Sequence, residues 1–183
     1  MPKYCSRRSF LTTSATLLAL PIGVQLAGCK DSSTPEPAKQ KFSDQKFELM
    51  DLALQHEFGA IVQYGNHAGV IAHLHKNSET DTLTKTIQQI INDEVHHTIQ
   101  LTQIMKEEGE EPTIAVWPPQ TAETTQDMIA QDIAAENGAV KLYQQILSLD
   151  FDDPIKRIIE TIMQTEELHH HIFSQLPFGH NKK

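Results

Sequence analysis

Apolar positions recur at three- and four-residue steps through four long stretches of the chain, and no strand-like alternation competes with them. The first stretch opens at Ser43, a residue suited to capping a helix, and carries Phe47, Met50, Ala53, Leu54, Ile61, Tyr64 and Ala68 along one face to about His75. The second spans about Asp81 to Glu108, with Leu83, Ile87, Ile90, Ile91, Leu101, Ile104 and Met105 on its stripe and Gly109 as its stop. The third covers about Ala122 to Leu149. The fourth begins at Pro154, after Asp152 and Asp153, and carries Ile155, Ile158, Ile159, Ile162, Met163, Phe173 and Leu176. Four amphipathic helices with one stripe each bury those stripes most simply as an all-α four-helix bundle.

The connections constrain the topology. Short links around Asn77 to Thr80 and around Asp150 to Asp153 make antiparallel hairpins of the first and second pairs of helices. The stretch from Glu110 to Thr121 differs: it holds Pro112 and Trp117-Pro118-Pro119, and extended at about 3.3 Å per residue it reaches roughly 40 Å. That matches the length of a helix of about 27 residues. It can therefore run the length of the bundle, joining two hairpins by a long crossover and setting the second and third helices parallel; a surface excursion is the alternative.

Two of the stripes carry charge where the core should be. Glu94 and His97 sit in the middle of the second stripe, and Glu166 and His169 occupy the same slots in the fourth. The shift that carries Glu94 onto Glu166 also carries Ile87, Ile90, His97, Leu101 and Ile104 onto Ile159, Ile162, His169, Phe173 and Leu176. The first and third helices echo one another as well, Glu57 followed two turns later by Tyr64 and Glu136 by Tyr143. An internal two-fold repeat of a helical hairpin follows.

Four carboxylates in a bundle interior are costly unless cations answer them, and no Lys or Arg falls at the matching depth of these stripes. Two divalent metal ions would neutralise the set. Its mixture of hard oxygen and borderline nitrogen donors suits iron or manganese, with zinc as a further occupant. Residues three apart on a helix share a face, so in each Glu-x-x-His one residue can bridge toward the neighbouring metal while the other binds terminally. A lone Glu-x-x-His is weak; two in equivalent slots, each joined to a mid-helix Glu and Tyr, is a strong signal. Glu167 with His170 has the same spacing, and helical phase favours Glu166 with His169.

Composition narrows the function. Lys plus Arg number 15 against 24 Asp plus Glu, a formal charge of -9, and Lys3, Arg7 and Arg8 fall in a first segment without acids, leaving the remainder more acidic still. Charge-driven nucleic-acid binding is excluded on that balance, whereas cation binding is favoured. The two cysteines, Cys5 and Cys29, lie near the N-terminus, so the bundle has no Cys-ligated metal site. Residues 1–28 read as an export signal: Arg7-Arg8 with Phe10-Leu11 resembles a twin-arginine signal, and Leu26-Ala27-Gly28-Cys29 a lipobox whose cysteine is lipidated. Residues 29–42 would be a flexible tether, 43–176 the bundle and 177–183 a tail. The protein is then expected at the cell envelope or periplasm, held to a membrane by its lipid, and Lys30 after the cysteine favours the outer membrane. The remaining histidines, His56, His67, His73, His75, His96, His171 and His180, read as surface groups or as groups around the ligands, and Trp117 as a pin for the crossover.

Glu57-Phe-Gly-Ala-Ile-Val-Gln-Tyr64, Asp93-Glu94-Val-His-His97, Glu136 and Glu166-Glu167-Leu-His169 together resemble the ferritin-like di-iron carboxylate proteins, near bacterioferritin and rubrerythrin. The resemblance implies that Glu94 and Glu166 bridge two iron ions, that Glu57 and Glu136 are terminal ligands and that His97 and His169 complete the set. Tyr64 and Tyr143 would donate hydrogen bonds to carboxylates and act as electron donors. It implies oxidation of ferrous iron by O2 or peroxide, or reduction of peroxide with an external electron donor, in a protein whose relatives are commonly homodimers. Two departures stand out: no Cys-rich electron-relay module is present, and the extra glutamate of rubrerythrin is Ala139 here, which argues for a six-ligand site. A non-catalytic metal-buffering lipoprotein and a metal-free interaction bundle are the alternatives.

Overall fold

A computed structural model describes residues 42–74 and 78–176. The export signal, Cys29, most of the tether, His75, His180 and the tail lie outside the described residues.

Local chemistry sets the helix ends. Ser43 caps α1 (Asp44–Leu74): its Oγ accepts from the Lys46 amide at 3.4 Å and its carbonyl from the Phe47 amide at 3.0 Å. Helix α2 (Ser78–Glu107) begins earlier than the apolar period indicated, because polar residues ahead of a stripe continue the backbone ladder without marking it. It ends where Gly109 takes φ 79°, letting the Glu110 amide reach the Met105 carbonyl at 2.9 Å and the Gly109 amide the Lys106 carbonyl at 3.0 Å. Helix α3 (Thr125–Leu147) starts after the expected Ala122. Thr124 is the residue that caps it, accepting from the Asp127 amide at 3.0 Å and donating to Asp127 Oδ2 at 2.7 Å. Helix α4 (Asp153–Gln175) follows Asp152 in extended backbone, with Pro154 in its first turn, where a missing N–H costs nothing.

Helix α1 packs on α2 and α3, and α4 on α3 and α2, so that α1 faces α4 and α2 faces α3 across the diagonals. Pairs such as Tyr64 with Glu136 and Glu57 with Tyr143 run in opposite order along α1 and α3, which are therefore antiparallel. With each hairpin antiparallel, α2 and α3 point the same way, and the crossover of residues 108–124 spans the bundle as its length required. It is fastened along α1: the Thr113 amide donates to Asp51 Oδ1 at 2.8 Å, and the Gln120 amide to Gln63 Oε1 at 3.4 Å. From Asp51 to Gln63 is roughly 18 Å at 1.5 Å per residue. No described helix is long and apolar enough to cross a membrane.

The interior falls into two apolar clusters. One gathers Met50, Leu54, Leu101, Met105, Tyr143, Ile146, Phe151, Ile159 and Ile162; the other gathers Tyr64, Ile71, Leu83, Ile87, Ile90, Met128, Ile129 and Phe173. Between them lies a band of buried carboxylates and imidazoles.

Candidate metal centre

Each donor reaches that band because it takes a stripe position mid-helix. Glu57, Glu94, Glu136, Glu166, His97 and His169 are all buried, the most exposed at 4%. They form two overlapping groups, Glu57-Glu94-His97-Glu166 and Glu94-Glu136-Glu166-His169, and in each the donor atoms lie within 4.8 Å of one another. Glu94 and Glu166 belong to both. The structure thus brings all six residues together, and it separates the competing pair: Glu167 is exposed and His170 only half-buried.

The contacts within the cluster are close without being self-sufficient. His97 Nδ1 is 3.2 Å from Glu57 Oε2, 3.1 Å from Glu94 Oε2 and 2.8 Å from Glu166 Oε1; His169 Nδ1 is 3.1 Å from Glu94 Oε1. Yet Glu94 Oε1, Glu136 Oε2, Glu166 Oε1 and His169 Nδ1 are buried and take part in no hydrogen bond. Among the described residues the ion pairs of these carboxylates are with His97 and His169 alone. Four buried carboxylates that converge with only two imidazoles among them are the surroundings a cation needs. The donor set, four carboxylates and two imidazole Nδ1 atoms with two carboxylates shared, fits a dinuclear metal site.

Electrostatics agree. Burial pushes Glu94 and Glu136 well above the usual carboxylate range, helped by neighbouring carboxylates, and lifts Glu166 to about 8. Burial acts the same way on Glu57, but hydrogen bonds from His97 and Glu94 outweigh it and hold that carboxyl at about 2. Burial would lower His97, and the carboxylates around it instead push it up to about 12. Without metal, then, an ionised Glu57 lies beside the His97 imidazolium, while Glu94, Glu136 and Glu166 hold their protons to higher pH than free carboxyls. A divalent pair would displace those protons.

The tyrosines cross over between the hairpins. Tyr64 on α1 donates to Glu136 Oε1 on α3 at 2.6 Å, and Tyr143 on α3 donates to Glu57 Oε1 on α1. Each phenol orients the carboxylate of the other repeat. Burial and the nearby carboxylates push both phenols well above their ordinary range, so they stay protonated donors.

Two contributors escape a reading of single helices. Asp93, whose side chain is 46% exposed, lies 3.2 Å through Oδ2 from His169 Nε2, behind the donor nitrogen, where a carboxylate fixes the orientation of the ring. And His67, expected at the surface or around the ligands, is instead buried with Asp132 and Gln63 in the α1–α3 seam. A signal existed for the second: Asp132 lies one turn before Glu136 on the same face, and His67 falls on the α1 stripe. Trp117 does lean on α1, edge-on to His56 at 6.0 Å.

The rubrerythrin family model matches residues 48–177. Among solved structures, the chain resembles a bacterioferritin of Rhodobacter capsulatus, solved with a metal-free dinuclear site and haem iron, at 22% identity and a TM-score of 0.66, over 74% of this chain and 84% of that one. A bacterioferritin of Mycobacterium tuberculosis aligns at 17% identity and a TM-score of 0.67, over 74% and 85%. No curated protein matches the sequence. At these identities the two structures speak to the fold, which is the ferritin-like four-helix bundle.

Proposed function

The chain belongs to the rubrerythrin family, and from that membership we propose that it is a di-iron oxidoreductase, oxidising ferrous iron with O2 or peroxide or reducing peroxide with electrons from a separate donor. One observation carries the reading: two four-donor groups share Glu94 and Glu166, and four of their buried donor atoms have no hydrogen bond. Glu57 with His97 would hold one ion, Glu136 with His169 the other, and Glu94 and Glu166 would bridge them. Two adjacent redox metals supply two electrons to one oxidant. The protein's own part is to aim the carboxylates through Tyr64 and Tyr143 and the His169 ring through Asp93, and to exclude water by the apolar clusters on either side. Manganese and zinc suit the same donors. We further propose that the twin-arginine and lipobox patterns export the chain and tether it through Cys29 at the envelope, a placement compatible with metal loading before export.

Metal content of the bundle, purified without chelator, tests the reading beside a Glu57→Ala, Glu136→Ala double variant. Two iron or manganese ions per chain, lost in the double variant, are expected, followed by ferrous consumption on adding peroxide or O2. Stable binding without turnover would leave a metal buffer; no metal after anaerobic iron reconstitution would remove the dinuclear centre. A Cys29→Ala variant should leave the membrane fraction.

A further inference from the structure

A second group of buried titratable side chains lies in the α1–α3 seam, apart from the six donors. Asp132 is fully buried and His67 nearly so. Asp132 Oδ1 accepts from Gln63 Nε2 at 3.0 Å and lies 2.8 Å from His67 Nδ1. Two atoms of the group, Asp132 Oδ2 and His67 Nε2, are buried without a hydrogen-bond partner. Burial raises the Asp132 carboxyl above the ordinary value, and the hydrogen bond and charge of His67 and the hydrogen bond of Gln63 oppose that rise.

Packing does not ask for this group. The offset that carries Glu57 to Glu136 and Tyr64 to Tyr143 pairs Gln63 with Leu142, His67 with Ile146 and Asp132 with Ala53. At the symmetric place the seam is apolar, Ala53, Leu142 and Ile146 belonging to one buried cluster. A bare carboxylate beside a neutral imidazole would be a buried net charge, which such surroundings oppose. One more proton shared by the pair removes that net charge. Moving the shared proton between Nδ1 and Oδ1 interconverts imidazolium with carboxylate and imidazole with carboxylic acid, and no heavy atom need shift.

Its position is suited to proton supply. Asp132 sits one turn from Glu136, and Gln63 is next to Tyr64, whose hydroxyl donates to Glu136. Gln63 also lines a cavity of about 170 Å³ together with His56, Gly59, Ala60, Trp117, Pro118 and Gln120, His56 being the titratable group among them. Gln63 thus touches both the cavity and the pair.

We propose that His67 and Asp132 are the proton store of the dinuclear centre, held by Gln63 and refilled through the cavity beneath Trp117. The proposal rests on the redox reading above. Reducing one hydrogen peroxide to two waters takes two electrons, from two ferrous ions that become ferric, and two protons. The pair releases one proton, solvent provides the other, and the resulting neutral imidazole and carboxylate are re-protonated by water in the cavity.

Two measurements test it. In zinc-loaded protein near neutral pH, infrared and nitrogen NMR spectra should show one proton on the pair: either a carboxylic C=O band absent from Asp132→Asn or a doubly protonated His67. A neutral imidazole beside an ionised carboxylate overturns the store. In stopped-flow mixing of the ferrous protein with peroxide, His67→Ala and Asp132→Asn should keep two metals per chain and slow oxidation by about 100-fold or more, the lower end of what a positioned proton donor contributes. Added imidazole should restore the rate of His67→Ala. Unchanged rates, or slowing that imidazole does not relieve in a variant retaining its metals, overturns the proposal. A wild type that does not turn over at all removes the redox reading and the store's use with it.

Discussion

The α1–α3 seam has two ends, one on each side of the metal centre, and they solve the same packing problem with different chemistry. At one end Leu142, Ile146 and Ala53 meet in an apolar cluster; at the other the symmetric positions hold Gln63, His67 and Asp132. The two imidazoles differ likewise. His169 has Asp93 behind it, whereas the symmetric counterpart of Asp93 is Thr165, whose hydroxyl donates to the Thr161 carbonyl at 3.0 Å instead. A repeated hairpin explains why the donors match in pairs. The departures lie one shell out, where a change of residue leaves the donor geometry intact but alters charge and proton supply, so the two halves of the centre are chemically unequal.

The largest effect is expected from removing what the halves share. A Glu94→Gln, Glu166→Gln variant should bind neither metal, while its metal-free form melts above the metal-free wild type, since two desolvated acids are gone; elemental analysis and calorimetry check both.

Next is the pH response of the metal-free protein. Glu94, Glu136 and Glu166 have folded values above their unfolded ones. Below about 4.5 their contribution is fully present; it is lost as pH rises toward about 8, where Glu166 titrates. Glu57, held at about 2, works in the opposite sense only below its unfolded value. Melting temperature should therefore fall between pH 5 and 8 without metal, and much less when zinc fills the site.

Making the polar end apolar sharpens the comparison directly. Gln63→Leu, His67→Ile, Asp132→Ala together should stabilise the fold by about 1–4 kcal/mol, as replacing buried ionic groups with packed apolar ones often does. Denaturant unfolding measures it, and a loss of stability would show that the polar end is structural.

The smallest effect tests the two imidazoles. Asp93→Asn should weaken binding of one of the two metals by about 10- to 100-fold, whereas Thr165→Ala leaves both affinities unchanged; competitive zinc titration distinguishes them.

Much of this was legible beforehand. Glu94 with His97 and Glu166 with His169 were readable because a helix repeats on a fixed angle, so a charged residue in an apolar stripe announces burial whatever the stripe packs against. The same phase selected Glu166 over Glu167, and chain length alone showed that the crossover could span the bundle. The ends of α2 and α3 were less legible. Apolar periodicity marks where a stripe runs, while the cap, Thr124 for α3, decides where the backbone ladder starts.

Sequence by itself determined the four helices, their stripes and the identity of the buried donors, since each is a property of one helix and its own period. Tertiary structure decided which atoms meet: that Tyr64 serves Glu136 and Tyr143 serves Glu57, that Asp93 stands behind His169, and that His67 finds Asp132 away from the metals. Those pairings depend on the axial offset and rotation between neighbouring helices. That offset is fixed by how all four stripes fill the interior together, which no single helix's period contains.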